Sequence, residues 1–268
     1  LESNIHVKTF PFIKNLRSGE NPHQKASWYG LKNNGWNAAK QLQGKELSYN
    51  NLLDLESALS TILEFEYDQK QNSSENTNAA VILKHNNPCG AALADSPSDA
   101  FRKALDCDST SAFGGIVAFN NNIDLAAAEL LSNIFLECVV APSFDKEALK
   151  ILHNKKNLRL LQLNKENIKK DNESTFKSIL GGILEQDIDN EVDQTNEWSC
   201  VTQIKPISEE FNDLRFSWKI CKHVKSNAIV ISKNQQPIGR GAGQMNRVGA
   251  AKIALDSAKD SAHGAVLA

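Results

Sequence analysis

The chain has 268 residues, 41% hydrophobic and 23% charged, with a formal net charge of −2 and an isoelectric point near 6.3. That composition supports a globular fold with one large core or two small ones, and its slight acidity excludes an overall positive field for a nucleic-acid backbone. No apolar run approaches the length of a membrane-spanning helix, and the opening Leu1-Glu2-Ser3-Asn4 lacks the pattern of a secretory signal.

The five cysteines (Cys89, Cys107, Cys138, Cys200 and Cys221) are odd in number, widely spaced and without a CxxC pair. Most stand in apolar surroundings, so they are expected to be reduced core residues of a cytoplasmic protein rather than a disulfide frame. The chain does not begin with methionine and ends on "GAVLA", a strand-like run; the expectation is a piece of something longer.

In chain order, the first polar cluster is "NLRSGENPHQKA", Asn15 to Ala26. Its Arg17 suits planar, bidentate recognition of a phosphate or carboxylate, although an ordinary polar loop has the same composition. Leu55, Ala58, Leu59, Ile62 and Leu63 then line one face of a helix that Asn50 or Asn51 would cap. The stretch 68–78 has no periodicity and is expected to be an exposed loop.

Ala79–Leu83 is a short buried strand, and it delivers Lys84 and His85 into the turn sequence Asn86-Asn87-Pro88. Neighbouring residues of a continuous strand point to opposite faces; a turn here would let the lysine and the histidine share a site. At a strand's C-terminal edge in an α/β sheet such a turn opens into the crevice where ligands bind, and a neighbouring lysine favours the neutral, basic imidazole. A solvated lysine beside a loop histidine is the other reading.

A helix follows around Pro97–Leu105, then "DCDSTSAFGG", in which Asp108 is either a turn former or a ligand. "GGIVAFN" (114–120) is a second buried strand, Asp124–Ser132 a helix, "CVVAP" (138–142) a third strand and Asp145–Leu152 another helix. Within 154–198, "LRLLQL" and "SILGGIL" are strand-like and the pieces between them have no face. Phe211, Leu214, Trp218 and Cys221 mark an amphipathic helix, followed by the strand Asn227–Ser232. Next come a Gly-rich loop, "GRGAGQ" (Gly239–Gln244), and a last helix striped by Val248, Ala251, Leu255, Ala258 and Ala262. The loop matches neither GxGxxG nor GxxxxGK[ST]; it does put Gln244 and Arg247 at a helix start, where anions are attracted.

Short apolar strands alternating with helices imply an α/β fold with sheets covered on both faces. No sequence repeat is strong enough to quote, although the two strand-then-helix halves, near 79–150 and 205–268, are candidates for a shared shape. Catalytic zinc of the deaminase type, H-x-E with P-C-x-x-C, fails here: His85-Asn86-Asn87 lacks the glutamate and Cys89-Gly90-Ala91-Ala92 lacks the second cysteine, so three ligands are not assembled.

Five segments occur in a telling order: "LRSGENPHQKA", "GKELSYNNLLDLESA", "VILKHNNPCGAA", "DSTSAFGGIVAFN" and "KSNAIVISKNQQPIGRGAGQMNRV". So ordered, they resemble the formyltransferase half of the bifunctional purine-synthesis family AICAR transformylase/IMP cyclohydrolase, from about Leu16 to the last residue, with only a loose match over Asn154–Trp198. The resemblance implies a three-layer α/β/α fold of two cytidine-deaminase-like subdomains without zinc. The first would span 1–200 and the second begin at 201–268, incomplete here. It implies formyl transfer from 10-formyltetrahydrofolate, the co-substrate, to the 5-amino group of AICAR, giving formyl-AICAR, with no catalytic metal, and a cyclohydrolase domain elsewhere in the parent protein. Carried over by motif, His85 would be the base, Lys84 would stabilise developing charge or protonate the folate nitrogen, and Asn227 would orient His85. Asn51, Asp108 and Arg247, with Gln244, would hold the AICAR base and ribose, and Arg17 its phosphate.

The implied partners are AICAR and folate small molecules and a second copy of the chain in a homodimer, with neither nucleic acid nor membrane. One departure stands out: Ser18 occupies the place of the family's tyrosine in "LRYGENPHQ". A second reading is a purine-nucleotide-binding domain of the same fold without turnover.

Overall fold

A computed structural model describes residues 9–67, 77–168, 174–189 and 197–268. The chain runs β1 (Phe12–Leu16), β2 (Ala26–Tyr29), β3 (Lys40–Gln43), α1 (Tyr49–Ile62), β4 (Asn78–Lys84), β5 (Asn87–Ala94), α2 (Pro97–Asp106), α3 (Ser109–Ala112), β6 (Ile116–Phe119), α4 (Leu125–Ser132), β7 (Cys138–Ala141), α5 (Lys146–Leu152), β8 (Arg159–Gln162), β9 (Ser174–Ile179), β10 (Gly182–Asp187), α6 (Ser208–Lys222), β11 (Ile229–Ser232), β12 (Pro237–Gly241), α7 (Arg247–Ala258) and β13 (Val266–Leu267).

Six strands form the central mixed sheet, in the order β3-β8-β7-β6-β4-β5. Strands β6, β7 and β8 are parallel neighbours, whereas β4 is antiparallel to both β5 and β6. Strand alternation divides the core in two. Ala79, Val81 and Leu83 of β4 face α1 and α6, joining Leu55, Leu59, Phe216 and Ile220; Ala80 and Ile82 face α2, α4 and α5, joining Phe101, Leu131 and Leu152. The sheet is therefore buried on both faces, and its strands read as continuous apolar runs for that reason.

The expected helices and buried strands occur, with differences in detail. Ser48, not Asn50 or Asn51, caps α1: its hydroxyl accepts from the Asn51 N–H, and the Asn51 carboxamide accepts from the Ser48 N–H, a capping box. The run "SILGGIL" is the tip of a solvent-exposed hairpin, β9–β10, because Gly181 takes the left-handed conformation (φ +77°). And β5, unread in the sequence, returns from β4 without a break. Of the expected loop 68–78, residues 68–76 lie outside the described residues and Asn78 opens β4.

The second, three-stranded sheet, β12-β11-β13, repeats the heart of the first. β11 is antiparallel to both neighbours, as β4 is to β5 and β6. Ile231 and Ser232 meet Leu267 and Val266 in the register in which Ile82 and Leu83 meet Val117 and Ile116. Both hairpins close on two left-handed residues, His85-Asn86 in one and Asn234-Gln235 in the other. Gly90 and Gly239 let the following helix touch the strand: a Cβ at either would lie 2.0 Å from a helical carbonyl, Ala104 O or Ala254 O. Ser96 and Asn246 cap α2 and α7 through the same bond to the third helical N–H. Lys84 Nζ donates to Phe113 O at 2.6 Å, and Lys233 Nζ donates to His263 O at 2.8 Å. The shared shape is matched by a short sequence repeat: residues 78–92 and 227–241 are identical at seven of fifteen positions (Asn78/Asn227, Ala79/Ala228, Val81/Val230, Ile82/Ile231, Lys84/Lys233, Pro88/Pro237 and Gly90/Gly239), while outside this hairpin the matched residues diverge.

Candidate functional site

The β4–β5 connection holds the most unusual backbone at the site. Lys84 pairs with Asn87 across a two-residue turn whose central residues, His85 (φ +54°) and Asn86 (φ +58°), are both left-handed, the geometry of a type I′ hairpin. Asn is at ease there; histidine without a glycine's freedom is uncommon. The turn rests on α1: Asp54 Oδ1 accepts from the Asn86 N–H at 2.7 Å. With its amide oriented to satisfy its neighbours, the Asn86 side-chain nitrogen lies 3.0–3.1 Å from three acceptors, Leu53 O, Asp54 Oδ1 and Ser57 Oγ, which share its two hydrogens.

Beside the turn lies a cavity of about 280 Å³. Lys84, His85, Asn87, Pro88 and Cys89 form one wall, Asp108 and Ser111 another, and Val224, Arg240, Ala242 and Ser257 close it from the second sheet's side. Asp108 is the N-cap of α3: its Oδ1 accepts from the Ser111 N–H at 2.9 Å, and its Oδ2 lies 3.5 Å from Arg240 Nη2. The cavity therefore presents an ammonium, a guanidinium, an imidazole and a carboxylate. That set suits a polar ligand carrying both negative charge and hydrogen-bond donors. Cys89 adds no nucleophile: burial pushes its thiol up to about 11, so it is protonated at neutral pH.

Of the site residues expected from sequence, Lys84, His85 and Asp108 line this cavity. The other five do not. Asn51 is nearly buried and its carboxamide oxygen is occupied in the α1 capping box. Arg17 is exposed in the β1–β2 connection, the tip of which meets the start of α1 through the Asn50 Nδ2 bond to Glu20 O at 3.2 Å. Asn227 is not among the cavity's lining residues; its Nδ2 donates to Gln244 O at 2.8 Å, and the two backbones bond to each other. Gln244 Nε2 turns back to Ala242 O, and Arg247 is exposed at the first turn of α7, behind the Asn246 cap. Asn227 and Gln244 still adjoin the turn, because the intervening Lys225 N–H donates to Asn87 Oδ1 and its carbonyl accepts from Gly243.

Arg240 is the residue that sequence reasoning missed. "GRG", which reads as loop, is strand: Gly239 and Gly241 face α7 and allow it to touch, which turns Arg240 to the other face, toward Asp108. The signal was available as an arginine between two glycines after an apolar run. Among the described residues, no group of three or more His, Cys, Asp and Glu side chains is placed to hold a metal ion, and no helix is long and apolar enough to cross a membrane.

These features define a mixed α/β protein with a polar, small-molecule-sized pocket built around a lysine–histidine hairpin turn. The chain belongs to the AICARFT/IMPCHase bienzyme family, whose pattern it matches over residues 3–257. It is 62% identical over its whole length to the bifunctional purine biosynthesis protein PurH of Prochlorococcus marinus subsp. pastoris (strain MED4), covering 52% of that protein. It is 63% identical over 262 residues to PurH of P. marinus strain MIT 9515, covering 51% of it. The chain thus spans about half the length of these curated relatives. A solved structure, Acinetobacter baumannii RibD, form 2, overlaps 41% of the chain at 16% identity with a TM-score of 0.27.

Proposed function

We propose that this chain carries formyl transfer from 10-formyltetrahydrofolate to the 5-amino group of AICAR, a step of purine biosynthesis. The observation that carries the reading is the placement of His85 and Lys84 together on a polar cavity, in a left-handed turn, in a member of this family. The 5-amino group, conjugated with the ring and its carboxamide, is a weak nucleophile. Aligning it with the formyl carbon and removing its proton would account for much of the rate. His85 takes that proton as the new C–N bond forms. The bond from the formyl carbon to N10 of the folate breaks, and Lys84 supplies or steadies the proton that N10 gains.

Asp108 accepts from donors on the nucleotide. In this reading the site continues past the cavity: Asn227, which adjoins the turn through Lys225, orients His85, while Asn51, Gln244 and Arg247 hold the AICAR base and ribose with Asp108 and Arg17 receives the phosphate. We assign the fold to two deaminase-like subdomains without zinc, divided near residue 200, and the working form to a cytoplasmic homodimer with sites near the subunit interface. The ring-closing step in the family's name is assigned to no residue of this chain.

The test follows tetrahydrofolate release spectroscopically in the complete protein with AICAR and 10-formyltetrahydrofolate. His85→Ala should lose at least 10³-fold in kcat, on the order expected for removal of a general base, while AICAR still binds. Near-normal turnover by that variant would refute the assignment.

A further inference from the structure

We propose that Asp54 is a positioning residue for His85: its carboxylate clasps the left-handed turn and so aims the imidazole at the cavity. This rests on the assignment of His85 as the base. Asp54 is partly buried on α1, and its Oδ1 accepts the Asn86 N–H at 2.7 Å. In a type I′ hairpin the central N–H groups face away from the strand ladder, so a fixed acceptor outside the hairpin is what can hold such a turn in one orientation.

The second sheet contains the same device without the chemistry. Asp213, at the matching place on α6, accepts from the Asn234 N–H at 2.9 Å and the Gln235 N–H at 2.6 Å. Here Asn234 stands where His85 stands in the first copy. This second turn packs against the first unit instead: Gln235 O accepts from the Leu93 N–H and Gln236 Nε2 donates to Lys103 O. The lysine tie is duplicated too, Lys84 to Phe113 O and Lys233 to His263 O. What the two copies share is therefore the means of holding a left-handed turn, and what distinguishes the first is the histidine it holds. A general base displaced by an ångström loses much of its effect, on the order of 10²-fold, so the clasp bears on kcat rather than on ligand affinity.

The experiment compares Asp54→Ala, Asp54→Asn and Asp213→Ala in the complete protein. Each is assayed for kcat and KM, for thermal midpoint, and for the Asn86 amide and His85 ring resonances by NMR. Asp54→Ala is expected to lower kcat about 10- to 100-fold with KM for the nucleotide within about threefold, and to shift both sets of resonances. Asp54→Asn, which keeps an acceptor oxygen, should recover most of the loss. Asp213→Ala should lower the thermal midpoint and leave kcat within about twofold.

Unchanged kcat and unchanged His85 resonances in a folded Asp54→Ala would overturn the proposal. So would an equal kcat loss in Asp213→Ala, since that would mark a general effect of stability. Should Asp54→Ala not fold, Asp54→Asn decides: the proposal requires its Asn86 amide to remain shifted downfield and its kcat to stay within about tenfold of the parent. His85→Ala run alongside separates the two claims. If it retains turnover, the base assignment fails, while displacement of the His85 ring in Asp54→Ala still reports on the clasp.

Discussion

Arg240 reaches from the second sheet to within 3.5 Å of the Asp108 carboxylate, which the first unit holds at the N-cap of α3. The two side chains are 15% and 33% exposed, so the pair lies at the cavity's edge rather than deep in the core. A loose, partly solvated pair contributes about 1 kcal/mol or less to stability. Its larger effect is on direction: Ser111 fixes one carboxylate oxygen and Arg240 attracts the other, so Asp108 meets a ligand in one orientation. Arg240→Met, which keeps the bulk and drops the charge, should weaken nucleotide binding about tenfold, ~1.4 kcal/mol, with a thermal midpoint within a few degrees of the parent. Calorimetric titration with AICAR measures this. Unchanged affinity would remove Arg240 and Asp108 from the binding site.

The thiols give a prediction about which chemistry the cavity does not perform. Burial pushes Cys89 up to about 11 and Cys138 to about 12, leaving on the order of one thiolate in a thousand or fewer at pH 7.5. Cys200 is exposed, and hydrogen bonds with Thr202 lower its thiol below the usual 9.0. Iodoacetamide at pH 7.5 should therefore alkylate Cys200 first and leave Cys89 and Cys138 unmodified in the folded protein, as read by peptide mass mapping. Early modification of Cys89 would mean an ionised cavity thiol and would reopen covalent catalysis.

Glu64, just past α1, binds α6 at two points: its Oε1 accepts from His223 Nε2 at 2.9 Å and lies 3.1 Å from Lys222 Nζ. Burial opposes ionisation of Glu64, but the bonds from His223 and Lys222 outweigh it and hold its carboxyl below the ordinary value of 4.5. A carboxyl whose folded value is depressed stabilises fully above its unfolded value and loses that contribution as pH falls through the folded one. Stability of the parent should therefore drop as the pH is lowered below about 4.5. Glu64→Gln should be less stable at pH 7 and show a shallower acid limb in urea unfolding. Parallel pH profiles for the two proteins would count against the clamp.

How much of this was legible beforehand follows physical lines. Buried strands such as Ile116–Phe119 and Cys138–Ala141 announce themselves as apolar runs, and α4 announces its start by the Asp124 cap. Lys84 and His85 were legible because polar groups at the end of such a run are conspicuous. β5 was not, since Asn-Pro reads as a break while the hairpin turns on the two residues before it. Arg240 was hidden because glycines read as loop, although these two are there so that α7 can touch β12. The capping box of Asn51 was hidden for another reason: an asparagine at a helix start serves equally as cap, as partner in a capping box or as ligand, and only coordinates show which atoms are already used.

Glycine carries a last prediction, because the chain uses it for two different purposes. At Gly90 and Gly241 the need is space: an added Cβ would sit 2.0 Å from Ala104 O or Ala250 O, backbone atoms that move only if the helix moves. At Gly181 the need is conformation, φ +77°, with open space around it. Overpacking of the first kind costs about 1–3 kcal/mol or more, whereas a left-handed alanine costs roughly 1–2 kcal/mol and disturbs nothing else. Urea unfolding should therefore rank Gly90→Ala and Gly241→Ala as more destabilising than Gly181→Ala. Because both lift a helix from the hairpin bordering the cavity, the first two should also weaken AICAR binding, and Gly181→Ala should leave it intact. Equal destabilisation by all three would mean that α2 and α7 do not depend on direct contact with their strands.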